Sequence, residues 1–153
     1  MLSKTGWEFI GWYEDSNFTG NPIETKYYSS INHTLYAKWI SEDVLYAGTS
    51  FERAFTINLG DRVTAVIDEP GEYIYYKFTA LTSCKYNFYS SGSQDTYGYI
   101  YDINQNLLKS NDDADDDDED FDIYINLSEG ETVYLVVKLY SKDDIGSFTV
   151  IVI

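Results

Sequence analysis

The sequence predicts an all-β chain built around an antiparallel β-sandwich, on three observations. Aromatic residues make up 18% of the 153 residues, with sixteen Tyr, eight Phe and three Trp. With many Thr, Ile and Val, this bias favours strands, where such side chains fit a half-buried pleated surface. From residue 70 onward, short strand-like runs recur with turn residues between them, the spacing of a sandwich or barrel. The later runs alternate apolar and polar residues with period two, whereas Ala and Leu, which build long helices, are sparse.

Residues 7–13 (WEFIGWY) and 34–39 (TLYAKW) read as two short aromatic strands around a polar loop holding Gly20, Asn21 and Pro22. Two strands alone are marginal in water, so their aromatic faces need cover from elsewhere. Ser41–Asp61 is mixed; within it Phe51–Leu59 reads as a short strand ended by Gly60 and Asp61. Pro70-Gly71 is a turn signal. Strands are then predicted at 73–79, 84–90, 97–102, 107–110, 121–127, 132–140 and 147–153. Phe121, Ile123, Ile125 and Leu127 fall on one face of their strand, and Val133, Leu135, Val137 and Leu139 on one face of theirs. These eight are the expected core. The run Phe148–Ile153 is apolar on both faces and is expected inside its sheet.

The formal charge is −16. Nine of the 26 acids lie between Asp112 and Asp122, and the rest of the chain sets 17 acids against 10 bases. Phosphate recognition needs basic clusters, so nucleic acid is excluded as a partner and cations are the natural counter-species. The single cysteine, Cys84, allows no intrachain disulfide and is expected to pack as a small apolar residue. No apolar run approaches the roughly 20 residues of a membrane span. Met1-Leu2-Ser3-Lys4-Thr5 leads straight into Gly6-Trp7, which reads as a cut from a longer protein.

Two stretches resemble known families. Gly6-Trp7-Glu8-Phe9-Ile10-Gly11-Trp12-Tyr13, followed by Thr34-Leu35-Tyr36-Ala37-Lys38-Trp39, resembles the Listeria–Bacteroides repeat, also called the internalin-type B repeat. The resemblance implies that residues 1–40 are a partial β-grasp-like repeat of a bacterial surface protein, lacking its N-terminal strands. The second family is carried by Glu72-Tyr73-Ile74-Tyr75-Tyr76-Lys77-Phe78, by Ser93-Gln94-Asp95-Thr96-Tyr97-Gly98-Tyr99-Ile100-Tyr101-Asp102, by Leu107–Asp113 and by Gly146-Ser147-Phe148-Thr149-Val150. These resemble the bacterial pre-peptidase C-terminal domain, which implies a jelly-roll-like sandwich over residues 41–153, found beside secreted hydrolases and in surface proteins. Some members of that family bind calcium, and some bind polymers such as collagen. Gln105 stands where the family often has Gly, and the acidic run after Asp113 is longer than usual.

The sharpest chemical expectation is a calcium site. If residues 97–102 and 107–111 pair as a hairpin closed by Ile103-Asn104-Gln105-Asn106, Tyr97 faces Asp112, and Asp95 falls opposite Ala114, beside Asp113 and Asp115. Like charges so placed repel unless a cation or proton intervenes, and Ca²⁺ takes about 6–8 oxygens, often carboxylates. The plainer alternative is that Asp95 caps a turn and the rest is a solvated acidic loop. Asp102, Asn104 and Asn106 mimic EF-hand positions, but Leu107 stands where Gly is required.

Tyr97, Tyr99 and Tyr101 share a strand face and are candidates for a sugar-binding platform, as are Trp7 and Trp12, since such rings offer flat apolar faces with polar edges. Ordinary cross-strand packing is the alternative. The lone histidine, His33, precedes a strand, no G-x-S-x-G elbow is present, and no zinc or phosphate motif appears. The chain is therefore expected to be non-catalytic: an extracellular or cell-surface bacterial module serving as a structural or adhesion spacer, calcium-stabilised. The alternative is a carbohydrate- or protein-binding module that targets an attached hydrolase. Expected partners are a glycan or an extracellular matrix or surface protein, with self-association through residues 1–40.

Overall fold

The computed structural model describes residues 3–23, 34–114 and 119–153. Tertiary contacts divide the chain into two compact units, 1–47 and 48–153.

In the first unit, β1 (Trp7–Tyr13) and β2 (Tyr36–Ser41) pair antiparallel from Trp7↔Ser41 to Tyr13↔Tyr36. A bulge between Phe9 and Gly11 has a local cause. Gly11 holds φ +152, and a Cβ there would meet Pro22 Cβ at 2.5 Å, so only glycine fits beneath the loop. Phe9 packs edge-on against Trp12 and tilted against Trp39, with ring centroids 5.7 and 5.1 Å apart. One helical turn, α1 (Glu42–Leu45), follows β2, and Glu42 N–H donates to the Gly6 carbonyl at 3.1 Å.

The second unit is a β-sandwich. Its strands are β3 (Phe55–Thr56), β4 (Arg62–Ile67), β5 (Ile74–Thr79), β6 (Cys84–Ser91), β7 (Thr96–Tyr101), β8 (Leu107–Asn111), β9 (Asp122–Leu127), β10 (Thr132–Leu139) and β11 (Gly146–Val152). Five form one sheet in the order β3-β5-β10-β7-β8, and four form the other in the order β4-β11-β6-β9. All neighbours are antiparallel except β3 and β5. After β4 the chain passes repeatedly between the sheets, so each sheet pairs strands distant in sequence.

The core lies between the sheets. Phe121, Ile123, Leu127, Val133, Leu135, Val137 and Leu139 are all buried there, as expected, with Ile125 half-buried against them. β11 sits between β4 and β6, and Ile151 is buried on its outer face, which accounts for apolar residues on both sides.

Three expectations need correction. The strand expected over Phe51–Leu59 shrinks to Phe55–Thr56; Phe51 itself leaves the ladder to pack on a sheet face. The residue pattern places no strand at 62–67, yet β4 forms there with Val63, Ala65 and Ile67 alternating inward; it is built of small and β-branched residues, not aromatics, and lies in the stretch 41–69 that the pre-peptidase resemblance assigns to the first strands of the sandwich. Cys84 is exposed rather than packed, with its sulfur 3.6 Å from Thr82 Oγ1.

Candidate functional site

The outer face of the five-stranded sheet is a field of tyrosines. Register fixes this directly. Tyr99 and Tyr75 flank Val136 from either side, Tyr101 lies opposite Tyr134, and Tyr97 opposite Lys138. Residues paired across strands share a face. Tyr97 and Tyr99 stack with centroids 4.5 Å apart and planes 15° apart, Tyr99 and Tyr101 at 6.3 Å, and Tyr97 and Tyr140 at 6.3 Å. The four rings make one row, Tyr140-Tyr97-Tyr99-Tyr101. Phe51 then meets Tyr75, Tyr101 and Tyr134 edge-on at 5.0, 5.3 and 5.2 Å. Val136 is only 3% exposed on this outer face, because the tyrosines roof it.

This packing determines what the face can offer. A pyranose stacks on a free ring face, but the inner rings of the row spend theirs on one another. Their outward-facing atoms are ring edges and phenol oxygens. Partial burial, with neighbouring Tyr97 next, pushes the Tyr99 phenol up to about 12; burial raises Tyr75 and Tyr101 as well. The phenols are therefore neutral donors at physiological pH. Lys138 stands over the row, 5.4 Å from the Tyr97 ring and 5.7 Å from that of Tyr140, while its ammonium donates to the Leu139 and Tyr140 carbonyls. The sequence revealed Tyr97, Tyr99 and Tyr101 but not Phe51, Tyr75, Tyr134 or Val136, which join them only through strand order.

The acidic end lies where the β7–β8 hairpin stops. The predicted register holds for Gly98↔Asn111, Tyr99↔Ser110 and Ile100↔Lys109, but the ladder ends before Tyr97 reaches Asp112. Thr96 N–H donates instead to Glu119 O at 2.9 Å, and Tyr140 N–H to Asp95 O at 2.9 Å. The far limb of the acidic loop, not Ala114, is thus what runs beside this strand end. Asp95 is half-buried, and its Oδ1 is buried without a hydrogen-bond partner. Burial, then Glu119, Asp113 and Asp112, hold its carboxyl above the usual range, with Lys138 opposing. Asp95, Asp112 and Asp113 therefore do share a field, joined by Glu119, which sequence reasoning missed. Asp115 and His33 lie outside the described residues. Among the described residues, no three acidic, histidine or cysteine side chains converge tightly enough to form a metal site by themselves.

Behind this loop is a buried polar knot. Ser90 Oγ lies 2.6 Å from Thr96 Oγ1 and donates to Asp120 Oδ1 at 2.7 Å, while Phe121 N–H reaches both hydroxyl oxygens at 3.1 and 3.0 Å. Asp120 Oδ2 also accepts from Gly92 N–H at 3.2 Å. Phe121 then lies over Gly98, where a Cβ would meet its ring at 2.6 Å. Asp102 serves the hairpin turn, its Oδ1 accepting from the amides of Asn104 and Asn106 at 2.8 Å each, a turn cap and not a metal ligand set.

No family model matches the chain, and no curated protein matches it. Among solved structures, the pre-peptidase C-terminal domain of a collagenase from Bacillus anthracis is similar, with a TM-score of 0.54 and 14% identity over 65% of this chain and 94% of that one. PliG from Aeromonas hydrophila, a periplasmic inhibitor of g-type lysozyme, gives a TM-score of 0.46 and 13% identity over 65% of this chain and 97% of that one. At such identity the first likeness defines a class by fold alone: a β-sandwich like that of the pre-peptidase C-terminal domain. The resemblance of residues 6–39 to the internalin-type repeat finds no support in these comparisons.

Proposed function

We propose that this chain is a non-catalytic module of a secreted or cell-surface bacterial protein, and that it adheres to an extracellular surface or matrix protein through the tyrosine face of its five-stranded sheet. The observation that carries this reading is the row Tyr140-Tyr97-Tyr99-Tyr101 beside the Phe51-capped cluster. Tyrosines supply large contact area with little rotamer freedom to lose, and so recur in protein-binding surfaces. Their mutual stacking favours a protein partner over a glycan. Residues 1–40 then act as a surface-protein repeat fragment that spaces this module from others. Among the described residues, no helix is long and apolar enough to cross a membrane.

The test is a matrix-protein and glycan array probed with the full chain and with Tyr99→Ser. Binding to a protein ligand that the substitution weakens at least tenfold supports the reading. Glycan binding unaffected by Tyr99→Ser sinks it. Calcium at Asp95, with Asp112 and Asp113, is a second proposal, resting on the unpaired buried oxygen of Asp95. A melting midpoint that Asp95→Asn makes insensitive to calcium supports it.

A further inference from the structure

The tyrosine face is not electrically uniform along its strands. Strand pairing sets Lys77, Tyr134 and Tyr101 side by side at one end, and Lys138 beside Tyr97 at the other. Tyr140 stacks on Tyr97 there and, at 51% exposed, is the most open ring of the row. Four carboxylates gather around that end. β8 leads from Asn111, which pairs with Gly98, straight into Asp112 and Asp113. The Asp95 carbonyl accepts from the Tyr140 N–H at 2.9 Å, and the Glu119 carbonyl from the Thr96 N–H at 2.9 Å, which ties both residues to the strand ends that carry Tyr140 and Tyr97. After burial and the neighbouring phenols, the charge of Asp112 helps to raise the Tyr99 phenol, so this acid acts on the row as well as on Asp95. Lys138 opposes the three acids that act on Asp95, and its ammonium already donates to the Leu139 and Tyr140 carbonyls.

We propose that the partner of this face is an arginine-bearing protein segment, which sets a guanidinium on the exposed ring of Tyr140 and reaches toward Asp112 and Asp113. This rests on the tyrosine-face reading above and names the chemistry of its partner. What this end turns outward can accept: carboxylate oxygens, phenol oxygens and the negative face of a terminal ring. Arginine offers five donors and no acceptor, on a plane that lies flat against an aromatic ring. Attraction of a cation to a ring acts within about 6 Å of the centroid. Lys138 shows that the row takes one, its ammonium standing 5.4 Å from the Tyr97 ring and 5.7 Å from that of Tyr140. A lysine partner matches the charge but not the plane, and its compact ammonium is more strongly hydrated. An acidic partner meets like charge at this end and on a chain of formal charge −16. Lys77, at the far end of the face, gives the segment its direction, with arginine toward Asp112 and away from Lys77.

The probe is an arginine–serine repeat peptide, with lysine–serine and glutamate–serine repeats of equal length beside it, added to the full chain in chelator so that no metal competes for the carboxylates. The arginine peptide should bind at least tenfold more tightly than the lysine peptide, and the glutamate peptide should not bind; this comparison needs no variant. Tyr140→Leu and the pair Asp112→Asn/Asp113→Asn should each weaken arginine binding at least tenfold at an unchanged melting midpoint. Tyr140→Phe, which keeps the ring, should bind as the parent does. So should Glu129→Gln/Glu131→Gln, which removes the same charge at the β9–β10 turn. Equal binding of the two basic peptides, or equal weakening by the two charge pairs, would mean that net charge alone attracts them, and overturns the proposal. Arginine binding that Tyr140→Leu leaves intact overturns it too, since the acidic loop then acts without the row. The two readings fail separately. A matrix protein that Tyr99→Ser releases but Asp112→Asn/Asp113→Asn does not would keep the tyrosine face as the docking surface and overturn the arginine partner.

Discussion

Asp95 carries its charge where the fold makes charge costly. Its carboxyl is held above the ordinary range by burial and then by Glu119, Asp113 and Asp112. The folded state therefore binds this proton more readily than the unfolded chain does. Stability attached to Asp95 falls as pH rises through the interval between the ordinary value and the raised one, and the penalty is complete above it. Asp95→Asn should thus raise the melting midpoint in chelator at pH 7, and the gain should vanish at pH values below the ordinary aspartate range. A midpoint lowered at pH 7 in chelator would show that the charge is compensated. Gln105 is the second residue under local tension, with φ +64 in the hairpin turn, the left-handed region that favours glycine. Gln105→Gly should stabilise by about 0.5–1 kcal/mol in a denaturant titration, the relief of the left-handed penalty less glycine's entropic cost. A loss of stability would mean that the glutamine side chain contributes more than its backbone costs.

The β7–β8 hairpin shows which elements could be read in the sequence. Its register followed from a turn of fixed length between two alternating runs, and the structure reproduces it at Gly98↔Asn111, Tyr99↔Ser110 and Ile100↔Lys109. What lies across from its open end did not follow, because Glu119 and Asp120 arrive from the far limb of a loop whose path no periodicity encodes. The Tyr face was half legible for the same reason. Period two placed Tyr97, Tyr99 and Tyr101 together, but only strand order brings β10 between β7 and β5 and so adds Tyr134, Val136 and Tyr75. Asn87 offered no signal at all, since an isolated polar residue in a strand reads as solvent-facing, and yet it is 8% exposed. β9 offers the direct check on face assignment. Ile123 is 2% exposed and Tyr124 faces outward at 45%. Ile123→Ala should cost about 2–5 kcal/mol by chemical denaturation, and Tyr124→Ala much less. The reverse order would invert the strand.

At the scale of the whole chain, the two units differ in what they can support alone. Residues 48–153 close a core between two sheets, with β11 and β10 flanked on both sides. Among its described residues the first unit offers two paired strands and one helical turn, with a groove lined by Trp7, Phe9, Trp12, Trp39 and Lys4. Trp7 and Trp12 remain 40% and 38% exposed. Below about 70–80 residues a single core rarely supplies more than ~3–5 kcal/mol unless a disulfide, metal or partner adds to it, and the first unit has no cysteine. An aromatic surface of this kind seldom stays bare, and open strand edges beside it invite pairing. Self-association of the full chain through this groove is the expected outcome, opposed at long range by the formal charge of −16 and therefore favoured by salt. Sizing chromatography across a hundredfold concentration range, at low and high salt, should show a monomer shifting to dimer as either variable rises. Trp12→Ser should hold the chain monomeric in the same runs. A chain that remains monomeric at the highest concentration and salt, while protease cuts rapidly between Trp7 and Trp39, would show that the groove recruits no second copy.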